Sequence, residues 1–130
     1  MKKLTTLLFM AMLLVSCQDS LEDQAERALK DYTEKNCPKY EAETVILDSC
    51  RFERDTKTMH YFYTLIGIMD TVSVKDQQDK IHDLLLDELR NSTLTRDYKK
   101  AGFSFKYSYY SQKQHGLLLS ETTLTKEDYQ

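Results

Sequence analysis

The stretch from Phe103 to Tyr110 sets the tightest constraint on how this chain can fold. Phe103, Phe105, Tyr107 and Tyr109 alternate with Ser104, Lys106, Ser108 and Tyr110. Successive side chains of a strand point to opposite faces, so this period of two predicts a strand with one wholly aromatic face. Such a strand needs neighbours to pair with and a second layer to cover its rings. The chain supplies both. Thr44 to Arg54 and Met59 to Met69 read as two further strands, joined by a turn at Arg54-Asp55-Thr56-Lys57. The first places Ile46, Cys50 and Phe52 on one side and Val45 and Leu47 on the other. The second sets Tyr61, Tyr63 and Leu65 against His60, Phe62, Ile66 and Ile68. Ser111 to Gly116 reads as a hairpin loop and Leu117 to Thr125 as the closing strand.

Two amphipathic segments provide the covering layer. Ser20 is placed to cap a helix, with Asp23 three residues on as its partner. Leu21, Ala25, Ala28, Leu29 and Tyr32 then share one helical face. Asn36-Cys37-Pro38 ends that helix, because proline disfavours helical backbone just before it. A second helix is predicted from near Ser73, with Ile81, Leu84, Leu85 and Leu89 as its stripe and an interruption at Asn91-Ser92-Thr93. Leu94, Tyr98 and Ala101 continue it for another turn or two, and Gly102 stops it. With only three glycines and one proline, flexible linkers are absent. The predicted architecture is α+β: a two-layer fold in αββαββ order, with a four-stranded antiparallel sheet carrying its helices on one face. The other sheet face is left for water or a partner.

The N-terminus says where such a domain is sent. Lys2 and Lys3 precede an apolar run from Leu4 to Val15, which at about twelve residues falls short of the roughly 20 that a spanning helix needs. This is the pattern of a secretory signal peptide. Its end, Leu14-Val15-Ser16-Cys17, resembles the lipobox of bacterial lipoproteins. The resemblance implies cleavage after Ser16, residues 1–16 being the signal, and a thioether-linked lipid on the Cys17 sulfur, with palmitate as the kind of acyl chain it carries. It also implies attachment by more than one acyl chain, since a single chain holds only reversibly. Residues 17–130 then form a single exported domain. Gln18 stands where aspartate would favour the inner membrane in this family, which points to the outer membrane. The acidic run Asp19-Ser20-Leu21-Glu22-Asp23 resembles the export tag of surface lipoproteins from Bacteroidetes-type bacteria; a solvated first helical turn would also favour acids there. The periplasmic and surface-facing sides both stay open.

Charge and cysteines narrow the partners. Removing Lys2 and Lys3 leaves 16 basic against 21 acidic residues, a net charge of −5. With no basic stripe, nucleic acid and attraction to anionic lipid are disfavoured. With Cys17 consumed by lipid, Cys37 and Cys50 remain as an even pair in an exported domain, and a disulfide between them is expected. Its loop would stabilise by about 3 kcal/mol. A metal site is a poor rival, since the two cysteines have no nearby histidine, and free buried thiols are the other alternative.

Chemistry-bearing motifs are sparse. His60, His82 and His115 fall in a strand, a helix flank and a hairpin loop, with no paired-histidine or paired-cysteine metal spacing. There is no nucleophile elbow and no glycine-rich phosphate loop, so no cofactor is expected and a non-enzymatic role is favoured. Asp87-Glu88 reads as solvated surface. Five of the nine tyrosines lie between Tyr98 and Tyr129. Most of the aromatic strand reads as core, while Tyr110, Tyr61 and Tyr63 are the candidate binding face, because tyrosine suits interfaces.

The stretch at 89–102, with Leu89, Ser92, Leu94, Tyr98, Ala101 and Gly102, is followed by the alternating aromatic strand and a closing Thr123-Leu124-Thr125-Lys126-Glu127-Asp128-Tyr129. Together they resemble small lipoproteins of unassigned function from Bacteroidetes-type bacteria. That resemblance carries no catalytic residues. The expectation is a lipid-anchored envelope module that docks a partner protein. A glycan- or solute-binding accessory lipoprotein and a hydrolase with an unrecognised site are the alternatives. A concave aromatic cleft would favour the glycan or solute reading. A buried, carboxylate-paired histidine in a pocket would favour the hydrolase. A flat apolar patch would favour the docking module.

Overall fold

The computed structural model describes residues 19–130. The signal peptide, the lipidation site Cys17 and the sorting residue Gln18 lie outside the described residues. The first helix, α1 (Leu21–Asn36), begins where the cap was expected: Ser20 Oγ accepts a hydrogen bond from the Asp23 backbone N–H at 3.1 Å. It stops at Cys37, ahead of Pro38.

Five strands follow rather than four. They are β1 (Lys39–Ala42), β2 (Val45–Glu53), β3 (Thr58–Leu65), β4 (Ser104–Ser111) and β5 (Leu118–Leu124), lying side by side in chain order. The additional strand, β1, is fully exposed, so it carries no alternating apolar signal from which it could be read. It pairs with β2 only as far as Leu47. Beyond that point Thr33 of α1 serves the free edge. Its hydroxyl donates to the Cys50 carbonyl and accepts from the Cys50 N–H, both at 2.9 Å.

The sheet is also not wholly antiparallel. β3 and β4 pair in parallel, because the chain between them crosses back over the sheet through helical turns, as parallel neighbours require. That connection holds two short 3₁₀ segments (Gly67–Met69 and Val72–Gln77), then α2 (Gln78–Asn91) and α3 (Arg96–Lys100). The second helix therefore starts later than Ser73. The break after Asn91 is real, and Gly102 closes α3 at φ +79°, in the left-handed region glycine favours. A last turn, α4 (Lys126–Tyr129), follows β5 and was not predicted.

The register of β3 and β4 sets Met59 beside Phe105, Tyr61 beside Tyr107 and Tyr63 beside Tyr109. These residues share the face that α1, α2 and α4 cover. Ala25, Leu29, Phe52, Met59, Leu85, Leu89, Phe103, Phe105 and Leu124 form its core. One predicted facing is reversed. A bulge at Asp48 slips the β2 register between Leu47 and Ser49. A one-residue slip moves side chains to the opposite face, so Leu47, not Ile46, joins Cys50 and Phe52.

Candidate functional site

Along β4 the aromatic residue changes from phenylalanine to tyrosine, and the burial changes with it. Phe103 and Phe105 are 1% and 0% exposed, whereas Tyr107 and Tyr109 are half-buried. β3 repeats the pattern with buried Met59 followed by half-buried Tyr61 and Tyr63. The cause is the placement of the helices. α1 packs on β2 and α2 on β5, towards opposite edges of the same sheet face, so the middle strands are only partly roofed at Tyr61 and Tyr63, before Leu65 is buried again beside Val74. A tyrosine suits that position because its ring is held and its hydroxyl stays wet.

The result is a cleft of about 560 Å³. Tyr61, Tyr63 and Tyr107 form its floor and Leu29 and Tyr32 of α1 one wall. Leu89, Leu94 and Tyr98 from α2, α3 and their connection form the other. Leu94 is 91% exposed at the rim, an apolar side chain facing water. Among the described residues, the charged ones lining the cleft are Glu41 of β1 and Glu88 of α2. Thr95 Oγ1, in the same wall, is the one buried side-chain oxygen or nitrogen among the described residues without a hydrogen-bond partner.

The wall is held from outside. The Lys99 ammonium donates to the carbonyls of Leu89 (2.6 Å) and Ser92 (2.9 Å) at the end of α2, where the helical ladder runs out. The Tyr129 hydroxyl donates to the Phe103 carbonyl at 2.8 Å.

The floor tyrosines stand as paired plates. Tyr61 stacks on Tyr107 with centroids 5.4 Å apart, and Tyr63 on Tyr109 at 4.8 Å, each pair inclined by 13°. Burial pushes all four phenols up, Tyr109 to about 12, with Glu88 adding to the effect on Tyr107 and Tyr109 and Glu41 on Tyr63. At neutral pH they are uncharged hydroxyls. Since the rings meet face to face within each pair, a ligand entering between the helices encounters ring edges and hydroxyls.

The candidate trio is therefore divided. Tyr61 and Tyr63 belong to the cleft under the helices, while Tyr110 lies on the opposite face. There it borders an open hollow of about 590 Å³ with Ile46, Phe62, Thr64 and His115. Cys37 and Cys50 are free thiols in this structure, which does not show the expected disulfide. Cys50 Sγ instead lies 3.4 Å from Thr33 Oγ1 and 3.6 Å from the Leu29 carbonyl. Burial pushes both thiols up.

The open sheet face holds a second constellation that single residues did not reveal. His60, 5% exposed, places Nδ1 2.9 Å from Glu53 Oε1 and Nε2 2.7 Å from Ser108 Oγ. Ser108 Oγ also lies 2.9 Å from Glu121 Oε2, and Glu121 pairs with Lys106 at 3.3 Å. The order Ser-His-Glu is that of a nucleophile, base and orienting acid. Ser108 is fully buried, however, and lines neither hollow, so no substrate carbonyl can reach its oxygen in this conformation. Its single proton can serve His60 or Glu121, not both. Burial is the largest influence on His60 and moves it below its usual value against the opposing pull of Glu53. Phe62 covers the ring at 3.9 Å, and Arg51 covers Phe62 in turn.

The sequence profile of one family, described as a domain of unknown function (DUF8479), matches residues 20–119. The chain belongs to the DUF8479 family. The matched span runs from the cap of α1 to Leu119 in β5 and includes every residue named above as lining the cleft. No curated protein matches the chain. Two solved structures are similar to this DUF8479 domain. One is PA3611, a Pseudomonas aeruginosa protein described as secreted, with a TM-score of 0.68 at 14% identity, covering 87% of this chain and 100% of that one. The other is the type II secretion system pilotin AspS of Vibrio cholerae, with a TM-score of 0.59 at 13% identity, covering 83% and 91%. At these identities the likeness is one of fold. Sequence reasoning missed the cleft because it took Asp87-Glu88 as plain surface and had no means of placing the helices. The signal it did hold was the change from phenylalanine to tyrosine along one strand face.

Proposed function

We propose that this DUF8479 domain is a non-catalytic binding module of the cell envelope, held at the outer membrane by lipid on Cys17, and that it grips its partner in the cleft between α1 and α2. The cleft is the observation that carries the reading. It is concave, largely apolar and of a size that suits a binding site, and its rim exposes Leu94. The similarity in fold to a secreted protein and to a secretion-system pilotin supports an accessory role at the envelope. The aromatic lining was the sign attached to glycan or solute binding. Sugar stacking needs open ring faces, and each floor ring already spends one face on its neighbour, which favours a partner that inserts side chains. The buried Ser108 is read as a sheet-stabilising network rather than a nucleophile.

The test is a photo-crosslinking residue placed at Ala28 or Leu94 on the cleft rim, or at Tyr110 on the opposite face, in cells expressing the full chain. Crosslinked products from the rim positions, lost when Tyr63 is also changed to Ala, are expected. Products from Tyr110 with none from the rim would transfer the partner to the open sheet face.

A further inference from the structure

The occupant's chemistry can be taken one step further, resting on the reading of the cleft as the binding site. Among the described residues the lining holds two carboxylates and no cation, and the two come from different sides: Glu41 from the edge strand β1 and Glu88 from α2. Lys39, also on β1, lies just behind the lining, where its ammonium donates to the Tyr32 hydroxyl at 3.2 Å and feels the Glu41 charge. Neither has an ion-pair partner among the described residues, in contrast with Glu22, Glu26, Glu53 and Glu121, each of which faces a basic side chain. Both are close enough to the floor tyrosines to disfavour a phenolate there. The cleft thus combines neutral hydroxyls with net negative charge, which Lys39 offsets in part at Glu41 and not at Glu88, above an apolar base formed by Leu47 and Met59.

We infer that the cleft takes a polypeptide segment that inserts apolar side chains between the helices and presents lysine or arginine to Glu41 and Glu88. An acidic segment would meet the like charge of Glu41 and Glu88, with Lys39 already engaged by the Tyr32 hydroxyl behind the lining. An acyl chain with an anionic headgroup would meet the same obstacle. A wholly apolar segment would leave both carboxylates unpaired at its edges. A basic group beside apolar side chains satisfies both features, and attraction at the rim would also speed encounter.

The experiment pans a random twelve-residue display library against the full chain extracted in nonionic detergent. Two variants are panned in parallel. Ala28→Trp plugs the cleft from an exposed position on α1, and the double variant Glu41→Gln/Glu88→Gln removes the charge and keeps the shape. Circular dichroism confirms that each is folded. Peptides enriched in both apolar and basic residues are expected from the unaltered chain and not from the plugged one. The charge-neutral variant should bind a retained peptide about tenfold more weakly at low salt, with the difference shrinking as salt is added. Peptides blocked by the plug but without enrichment in lysine or arginine would overturn this inference and leave the cleft reading intact. Peptides retained equally by the plugged chain would overturn both. Retention of no peptides at all would overturn the inference and shift the occupant to a non-peptide ligand.

Discussion

If the helices leave the middle of the sheet uncovered, alanine substitutions along β4 should have unequal costs. Phe105 is completely buried, packs in the main core and meets Tyr129 edge-on at 6.0 Å. Phe105→Ala removes a ring that surrounding side chains cannot follow, leaving a dry cavity, and should destabilise by about 3–5 kcal/mol. Tyr107 is two residues on, on the same face, but borders the cleft. Removing its ring enlarges a space that water already reaches. What is lost is the transfer of a half-buried ring and one stack on Tyr61, together about 2 kcal/mol. For a domain of this size, roughly 4 °C accompanies each kcal/mol. Phe105→Ala should therefore lower Tm by roughly 12–20 °C and Tyr107→Ala by roughly 8 °C. Thermal unfolding of the exported chain followed by circular dichroism measures both. Equal losses would mean that the cleft is closed in solution. A loss under about 1 kcal/mol for Phe105→Ala would mean that this face points outward.

Three further outcomes follow from other parts of the structure. Because burial holds His60 below 6.5, the unfolded chain takes up its proton first as pH falls; stability from the buried neutral ring is present above that value and lost below it. Denaturant unfolding between pH 7.5 and 5 should show that decline and His60→Gln should flatten it, whereas stability rising as pH drops would give Glu53 control of the ring. Lys99→Met removes the cation that closes the end of α2 and should cost about 1–2 kcal/mol, read by urea unfolding, together with faster amide exchange at Ser92–Thr95. Unchanged exchange there would show that Lys99 does not hold the wall. Finally, Cys50→Ser should lower Tm equally with and without reductant, since the thiol is free and packed against Leu29 and Thr33; a loss seen only under oxidising conditions would restore a Cys37–Cys50 disulfide.

Local patterns were legible wherever one residue type had one physical reason to be there. The period-two aromatic run, the Ser20 cap, the stop at Pro38 and the left-handed Gly102 all state short-range requirements, and each appears where it was expected. The α+β class and the covering of one sheet face followed from those patterns, because amphipathic helices and a one-sided aromatic strand must bury each other. Other features depend on what meets what. β1 carries no apolar signal, so only its pairing with β2 makes it a strand. The bulge at Asp48, which turns Leu47 towards the cleft, arises from fitting β2 to β3. The parallel pairing of β3 with β4 is set by the crossover through α2, and the offset of α1 and α2 towards opposite edges of the same sheet face opens the space between them. The sequence by itself determined that one strand would carry an aromatic face for the helices to cover. Only the tertiary structure decided that Tyr61, Tyr63 and Tyr107 would share one cleft with Glu41 and Glu88 while Tyr110 faced away, because residues tens of positions apart become neighbours only through the register and crossover of the strands that carry them.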